Sequence, residues 1–346
     1  MAAAKGTIIV TGANGGLGSG IVRQIVSEPE HAAYHGIYLV RDVVSAAGLH
    51  SVLASNSSHT HDILSMDLTD MDSVRQTASV INSRVSLGQI PSIKALILNA
   101  GYQDFGKQTW TKDGLDTTFS ANYLGHWLMT LMLLESMDKG SGRIVLVGSQ
   151  AHDPNDKRNV RNKAFIDDKY NPIVHDETSF EAIAKGHWSS AHDDPSWKGG
   201  FRRYGAAKLF LIMMMYELQS RVDKDPTLAD ISILAVDPGS MSTGLQRHAS
   251  WLIRVLMFRI ILPIIALLMP NGPIRTTQTS ASHILKAAFD SDQTLGQFPK
   301  ELYFDGLELV ETSDEAKDAQ KRVFVWRQSK HYAGLKEGET VLVNWK

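Results

Sequence analysis

The sequence predicts an α/β fold built on a doubly wound parallel sheet of about seven strands, with helices on both faces. Two observations lead to this prediction. Short β-branched and aliphatic runs alternate with longer helix-like stretches, and the first run leads directly into a glycine-rich turn followed by a helix-like segment. The length of 346 residues, with 43% hydrophobic and 21% charged residues, is typical of a globular protein. We therefore expect a single domain over residues 1–346.

Seven runs have the length and composition of buried strands. They are Thr7–Val10, Ile37–Val40, Ile63–Met66, Ala95–Leu98, Arg143–Val147, Ile231–Val236 and Leu302–Phe304. Five stretches between them predict helices, at Leu17–Ser27, Met71–Val85, Leu115–Met137, Tyr204–Arg221 and Gln278–Phe289. Because strands and helices alternate along the chain, neighbouring strands are expected to be parallel.

Two stretches interrupt the alternation. Residues 150–203 are rich in Asp, Asn, His, Lys and Trp, and predict a long insertion with little core, in which Thr178 and Glu181 have the spacing of a capping box. Residues 244–275 contain the apolar run Trp251–Met269, which Arg254 and Arg259 interrupt. The part after Arg259 has only ten residues before Pro270, well short of the ~20 needed to cross a bilayer. We interpret this second stretch as an apolar lid, with attachment to a membrane surface as an alternative.

Charge and cysteine content exclude several functions. The chain has 35 Lys and Arg against 37 Asp and Glu, a net charge of −2, so there is no basic field for nucleic acid. It has no cysteine, which rules out disulfides, thiolate metal sites and a cysteine nucleophile. Its histidines lack matched carboxylates, so no metal site is expected. A strand-like run from Thr7 leaves no room for a signal peptide, which favours a cytoplasmic protein.

The glycine-rich turn after the first strand has the features of a phosphate-binding site. It runs from Thr11 to Gly18 as T-G-A-N-G-G-L-G. Gly12, Gly16 and Gly18 would let the backbone approach a pyrophosphate, and the free amides at the start of a helix favour negative charge. A glycine-rich connection without a ligand is the alternative.

Further motifs follow this turn in order. They are Asp67-Leu68, Leu98-Asn99-Ala100-Gly101, Asn122 in a helix-like stretch, Ser149 at the end of the fifth strand, Tyr204-Gly205-Ala206-Ala207-Lys208, and Asp237-Pro238-Gly239 with Thr243. Together with the TGxxxGxG turn they resemble the short-chain dehydrogenase/reductase family. The C-terminal part is similar to the retinol-dehydrogenase-like branch of that family. The resemblance implies a Rossmann-like fold that binds a nicotinamide dinucleotide.

The resemblance also implies roles for individual residues. The implied catalytic residues are Asn122, Ser149, Tyr204 and Lys208. The expected cofactor contacts are Gly12, Asn14, Gly16, Leu17, Gly18, Arg41, Asp67, Leu68, Asn99, Ala100, Gly101, Tyr204, Lys208, Pro238, Gly239, Met241 and Thr243.

These roles are chemically reasonable for carbonyl reduction, which needs a proton donor close to the oxygen. Lys208 lies four residues after Tyr204, on the same face of the predicted helix, and is expected to lower the pKa of the phenol. Ser149 would polarise the substrate oxygen. By resemblance, Asn122 would hold a water in a proton relay from Lys208.

The choice of cofactor depends on the end of the second strand. An acid there would bind the ribose hydroxyl of NAD, whereas an arginine would bind the 2′-phosphate of NADP. Arg41 follows Val40 directly and favours NADP(H). Asp42 is adjacent, so a strand end shifted by one residue would favour NAD(H) instead.

The chain departs from the family between the serine and the tyrosine. Ser149 and Tyr204 are 55 positions apart (204 − 149), whereas the family places about a dozen residues between them. Because the insertion leaves from one catalytic residue and returns to another, we interpret it as a cap over the substrate pocket. A surface loop without a role is the alternative.

These observations predict an NADP(H)-dependent oxidoreductase that acts on the carbonyl or alcohol of a hydrophobic substrate, such as a steroid, retinoid, lipid or polyketide-like metabolite. One alternative is a non-catalytic dinucleotide-binding sensor or scaffold. Another is the same fold performing C=C reduction or assisting a cyclisation. By resemblance, a homodimer would pair through the helices at Leu115–Met137 and Tyr204–Arg221.

Overall fold

A computed structural model describes residues 4–241 and 272–346 and contains one sheet of eight strands. The strands are β1 (Thr7–Thr11), β2 (His35–Val40), β3 (His61–Ser65), β4 (Ile93–Leu98), β5 (Arg143–Val147), β6 (Ser232–Asp237), β7 (Tyr303–Asp305) and β8 (Glu308–Leu309). Their order across the sheet is β3-β2-β1-β4-β5-β6-β7-β8. All pairs from β3 to β7 are parallel, and β8 is antiparallel to β7. The strand order reverses between β1 and β4, as in Rossmann-like sheets.

The helices in the described parts of the chain differ widely in length. They are α1 (Gly16–Ser27), α2 (Pro29–Ala32), α3 (Ala47–Leu53), α4 (Met71–Ser86), α5 (Thr117–Phe119), α6 (Gly125–Leu133), α7 (Lys157–Asn162), α8 (Glu177–Ala184), α9 (Trp197–Val222), α10 (Thr277–Phe289), α11 (Asp314–Lys317) and α12 (Ala319–Ala333). A π-helical turn at Ser120–Leu124 joins α5 to α6, and short 3₁₀ turns lie at Leu134–Ser136, Gln150–His152 and Asp168–Tyr170.

The sheet is covered on both faces, as the alternation predicted. Helices α1, α3 and α10 pack on one face, and α4, α6, α9 and α12 form a layer on the other. Strands β1, β5 and β6 are buried along their whole length. This explains their continuous runs of β-branched and aliphatic residues, because strands covered on both faces have no solvent side.

The seven predicted strands are confirmed, with shifts of one or two residues at their ends. Strand β8 was missed because Glu308 and Leu309 are exposed and too few to form a pattern. The helix predicted at Leu115–Met137 is interrupted by the π-helical turn at Ser120–Leu124. The helix predicted from Tyr204 begins two turns earlier, at Trp197, where the Ser196 side chain accepts a hydrogen bond from the Lys198 amide.

The segment between Ser149 and α9 is packed on the domain, as its large aromatic residues Phe165 and Trp188 favour, although its composition is mostly polar. Its buried apolar side chains include Phe165, Tyr170, Ile173 and Phe180, which join the core on the α9 face of the sheet. The Phe180 ring stacks on Phe210 of α9, with 5.1 Å between ring centroids. The polar residues of this segment therefore form its outer surface, while a minority of apolar residues anchor it to the domain.

The capping box expected at Thr178 and Glu181 is wrong in position. Helix α8 begins at Glu177, two residues earlier than a cap at Thr178 would place it, and Asp176 caps it by accepting a hydrogen bond from the Ser179 amide at 2.8 Å. The Ser179 hydroxyl accepts in turn from the Asp176 amide at 2.9 Å. An aspartate with a serine three residues later thus forms the reciprocal pair.

The lid predicted at residues 244–275 lies mostly outside the described residues, and so does all of Trp251–Met269. No described helix has both the length and the hydropathy needed to cross a membrane.

Candidate active site

A pocket of about 1150 Å³ opens at the carboxyl ends of the parallel strands. Residues that follow β1, β2, β3, β4, β5 and β6 all contribute to its wall. Ligands of doubly wound sheets bind at this edge, where the strand order reverses. Every predicted cofactor contact within the described residues lines this pocket, and Thr243 lies outside them.

The glycine-rich turn is folded so tightly that side chains do not fit. Gly12 has a φ of +65°, and a Cβ there would lie 2.8 Å from Cα of Ala100. A Cβ on Gly18 would lie 2.2 Å from the carbonyl oxygen of Gly12. The Asn99 side chain holds the turn by donating a hydrogen bond to the carbonyl of Thr11 at 2.8 Å. Glycine is therefore required here by the backbone's own geometry.

The start of α1 is left open toward the pocket. Its N-cap is Gly15, and no side chain caps the helix. The nearby Asn14 side chain instead accepts a hydrogen bond from the amide of Leu49 at 3.2 Å. Free amides at a helix N-terminus bind anions, so this end of the pocket fits the pyrophosphate of a dinucleotide.

Arg41 and Asp42 both reach the pocket beside the carboxyl end of β2. The strand ends at Val40, so Arg41 is the first residue after it, as the sequence predicted. Both side chains are exposed and line the wall. The Asp42 carboxylate accepts a hydrogen bond from the amide of Val44 at 2.9 Å.

Asp67 and Leu68 line the pocket after β3. One carboxylate oxygen of Asp67 accepts hydrogen bonds from the amide and the hydroxyl of Thr69, at 2.9 and 2.7 Å. These bonds fix the carboxylate at the pocket wall.

Ser149 and Tyr204 come together although 54 residues separate them in the chain (149 and 204 excluded). Ser149 follows β5, Tyr204 projects from α9, and the Ser149 side chain is close enough to the phenol to lower its pKa. The Ser149 hydroxyl also accepts from the amide of Ala151 at 3.2 Å and lies 3.3 Å from Oε1 of Gln150. Tyr204 is only 9% exposed, and its exposed part faces the pocket.

The expectation that Lys208 lowers the pKa of Tyr204 is wrong for this structure. Burial raises the pKa of the Tyr204 phenol, and the charge of Asp237 raises it further, while the hydrogen bond from Ser149 opposes both. The Lys208 ammonium lies 5.5 Å from the centre of the Tyr204 ring and donates to the carbonyl of Val147 at 2.7 Å. Desolvation of the phenol has a larger effect on its pKa than the charge of Lys208, and helical spacing does not reveal this desolvation.

Lys208 is itself perturbed by burial. Desolvation lowers the pKa of its ammonium to about 8, and the nearby charge of Asp237 partly offsets this change. Buried lysines lose part of their charge near neutral pH because the neutral amine is easier to desolvate. The site therefore contains a phenol that resists ionisation and an ammonium that loses its proton readily.

Asn122 lies beneath the pocket and does not line it. It is fully buried within the π-helical turn, where its side chain donates to the carbonyls of Tyr102 and Thr118 at 2.8 and 2.7 Å. Its side-chain oxygen accepts from the Tyr102 amide at 3.0 Å. The structure therefore gives Asn122 a supporting position, while Ser149, Tyr204 and Lys208 surround the pocket.

Asp237 was missed as a site residue, although its motif was noted. It ends β6, is 2% exposed, and lines the pocket close enough to Tyr204 and Lys208 to affect both. Its carboxylate accepts from the amides of Gly239 and Gln150, both at 2.8 Å. An acidic residue at the end of an otherwise apolar strand was the signal in the sequence.

The wall next to Tyr204 contains further residues that sequence reasoning did not assign to the site. They are Tyr102, Gln103, Phe105, Gln150, Trp197 and Phe201. Within residues 4–241 and 272–346, no group of three or more His, Asp or Glu side chains is arranged to hold a metal.

Comparisons with known proteins agree with the fold of this chain. A family model described as short chain dehydrogenase matches residues 6–159. The chain is 44% identical to the short-chain dehydrogenase iccH of Talaromyces variabilis over 99% of both chains. It is 28% identical to the chloroplastic protochlorophyllide reductase of Pisum sativum, over 96% of this chain and 78% of the relative.

Among solved structures, the chain is similar to the Pseudomonas aeruginosa RhlG/NADP active-site complex, with a TM-score of 0.56 and 15% identity. That match covers 88% of this chain and 96% of the other, and it supports the fold. The retinol-dehydrogenase-like branch is not named by these relatives and stays a prediction. The whole-length match at 44% identity shows that the chain belongs to the short-chain dehydrogenase/reductase family.

Proposed function

We propose that this protein uses NADP(H) to transfer a hydride between the nicotinamide and a carbonyl or alcohol carbon of a neutral hydrophobic substrate. The observation that carries the proposal is the convergence of Ser149, Tyr204 and Lys208 on one wall of a pocket whose other end is the glycine-rich turn. A dinucleotide bound along such a pocket would place its reactive ring near these three side chains.

In the proposed reaction the bound cofactor supplies the hydride. Tyr204 holds its proton firmly in the resting site, because burial and Asp237 raise the pKa of the phenol. It can deliver this proton when the substrate oxygen becomes negative and therefore more basic. Ser149 would donate a hydrogen bond to the same oxygen, and the charge of Lys208 would stabilise the phenolate that remains.

The preference for NADP(H) is proposed on the position of Arg41. A guanidinium directly after β2 can bind a 2′-phosphate through two hydrogen bonds, whereas a carboxylate there would repel it. Asp42 is less suited to a ribose hydroxyl, because the Val44 amide already occupies one of its oxygens.

The proposal is tested with the purified protein and its Tyr204→Phe variant. Both are incubated with NADPH or NADH and a panel of apolar ketones, aldehydes and enones, and cofactor oxidation and product masses are measured. We expect the wild type to oxidise NADPH with a ketone or an aldehyde, and the variant to bind NADPH without turnover. Binding without turnover by both proteins would favour the non-catalytic sensor. Loss of the enone double bond with the ketone intact would favour C=C reduction.

The cofactor preference has its own test. Arg41→Leu should raise the KM for NADPH about tenfold or more, which corresponds to the loss of a charge-assisted hydrogen bond, and should leave the KM for NADH nearly unchanged. Arg23→Leu, at an exposed arginine of α1, is the matched control and should change neither value. An equal effect of Arg41→Leu on both cofactors would contradict the preference.

A further inference from the structure

Helix α9 contributes other residues to the pocket wall besides the catalytic pair Tyr204 and Lys208. Because it begins at Trp197, two additional turns precede Tyr204. Trp197, Phe201, Tyr204 and Lys208 follow one another at intervals of four, three and four residues, and all four line the pocket. This spacing places them in one stripe along the helix, so two aromatic rings continue the catalytic face outward.

A third aromatic ring comes from the loop after β4. Phe105 lines the pocket and has a φ of +51°, a conformation that is rare outside glycine. The loop is held against α9 by Asp104, whose carboxylate receives two hydrogen bonds from Nη2 of Arg203, both at 2.8 Å. A Cβ on Gly200 would lie 3.0 Å from the amide nitrogen of Phe105. The glycine thus permits the close contact that brings Phe105 beside the stripe.

The aromatic residues are supported from behind but open toward the pocket. The Phe201 ring packs edge-on against Phe165, with 6.0 Å between centroids, and lies equally far from the Trp197 ring. Trp197 nevertheless remains 40% exposed. An exposed tryptophan in a pocket presents a large apolar surface that a bound ligand could cover.

The lining residues Tyr102, Gln103, Phe105, Thr117, Trp197 and Phe201 include no charged side chain. The polar side chains among them are those of Tyr102, Gln103 and Thr117. Charged ligands would lose their hydration here without gaining an ion pair. The charged residues of the pocket lie elsewhere, at Arg41, Asp42 and Asp67 on the dinucleotide side and at Lys208 and Asp237 on the catalytic side.

We propose that Trp197 and Phe201, with Phe105, determine specificity by binding a flat, neutral, unsaturated ring of the substrate next to its reacting carbonyl group. Aromatic side chains interact with another π-system more favourably than with a saturated ring of similar area. This inference rests on the proposed function and adds a substrate class to it.

The test compares two ketones that differ only in their ring, 4-phenylbutan-2-one and 4-cyclohexylbutan-2-one. In both ketones two methylene groups separate the ring from the carbonyl group, which keeps the ring close to the reacting carbon while the intrinsic reactivities match. With NADPH, the wild type should have the higher kcat/KM for the phenyl ketone. Trp197→Leu and Phe201→Leu, which keep apolar bulk without a ring, should each reduce the ratio of the two kcat/KM values about two- to tenfold. Trp197→Phe should restore most of it.

Trp110→Leu is the matched control. Trp110 is exposed, lies outside the pocket and donates to the carbonyl of Lys185, so its loss should leave the ratio unchanged. Equal kcat/KM values for the two ketones, or leucine variants with the wild-type ratio, would overturn the inference while the proposed function stands.

A binding measurement separates the inference from catalysis. The Tyr204→Phe variant loaded with NADPH is titrated with each ketone in a calorimeter, alone and combined with Trp197→Leu. The inference is supported if the phenyl ketone binds more tightly than the cyclohexyl ketone and Trp197→Leu abolishes this difference in affinity. This support holds even if the wild type reduces neither ketone, although the lack of reduction would count against the proposed function. Failure to bind either ketone would overturn the inference.

Discussion

Asp237 places a buried carboxylate beside the two side chains proposed to move the proton. Its charge raises the pKa of Tyr204 and of Lys208. The carboxylate is compensated by two backbone amides and by the Arg158 guanidinium, 3.9 Å away. Asp237 therefore raises the proton affinity of both groups, in addition to the larger effect of burial on each, without being a proton donor itself.

We predict that Asp237→Asn shifts the pH dependence of cofactor use. The pKa of Lys208 is about 8, so its charge is lost as pH rises through 8, and kcat/KM for NADPH should fall over the same interval. Removing the charge of Asp237 lowers the pKa of Lys208, so the fall should occur at lower pH in the variant. pH profiles of both proteins provide the measurement. An unchanged or upward-shifted limb would contradict this account of Asp237.

The glycine-rich turn gives a prediction about stability. Gly18→Ala would place a methyl group 2.2 Å from a backbone carbonyl that cannot move without opening the turn. We expect a loss of about 1–3 kcal/mol in the free energy of unfolding, measured in urea, together with weaker NADPH binding. Gly140→Ala is the control, because its Cβ would lie 3.7 Å from its nearest neighbour. Equal stability of the two variants would show that the turn is not tightly packed.

At the scale of elements, α9 connects the catalytic residues to the loop after β4. Arg203 lies directly before Tyr204 and forms a buried ion pair with Asp104, and Asp116 lies 3.7 Å from its Nε atom. All three side chains are almost fully buried. This cluster fixes the loop that contributes Phe105 to the first turns of the helix.

Arg203→Met should therefore destabilise the protein strongly. The change leaves two buried carboxylates without their cation, which costs about 3–5 kcal/mol in the free energy of unfolding. Lys185→Met removes an exposed ion pair with Glu181 and should have little effect, because surface pairs are screened by water. Urea unfolding of both variants provides the comparison, and a similar small loss in each would indicate that the buried cluster is not required.

The elements also show where sequence reasoning succeeds. The strand ends, to within two residues, and the positions of Ser149 and Arg41 were predictable, because buried parallel strands have continuous apolar runs. The π-helical turn around Asn122 was not, since its extra residue produces no change in composition. The early start of α9 was also missed, because glycine is a poor helix former and Gly199 and Gly200 lie in its first turn. The structure shows why glycine stands at both positions, since a Cβ there would collide with neighbouring atoms. The raised pKa of Tyr204 was not predictable either, because it depends mainly on burial of the phenol, and the sequence around Tyr204 does not reveal how deeply that side chain is buried.

Across the whole molecule, the C-terminal helix α12 covers the helices that resemblance assigned to a dimer interface. Trp326 packs against Trp127 of α6 with 5.1 Å between ring centroids, and Ser329 bonds to the hydroxyl of Tyr123 at 2.6 Å. The residues of α6 are all buried within the single chain.

We therefore predict that the protein is a monomer in solution, since pairing through α6 and α9 would require α12 to be displaced. Light scattering coupled to size-exclusion chromatography should give a mass near 38.2 kDa at micromolar concentration. A stable mass of twice that value would contradict the prediction and point to an interface on another surface of the chain.

The central claim is that a hydride passes from the cofactor to the carbon that bears the substrate oxygen, with Tyr204 supplying the proton. The most direct measurement uses NADPH deuterated at the transferable position of the nicotinamide, a reducible ketone from the panel, and mass spectrometry of the product. We predict an alcohol with one deuterium on the carbinol carbon, formed by the wild type and absent with Tyr204→Phe. Deuterium on a former alkene carbon, or labelled alcohol formed equally well by the variant, would contradict the account.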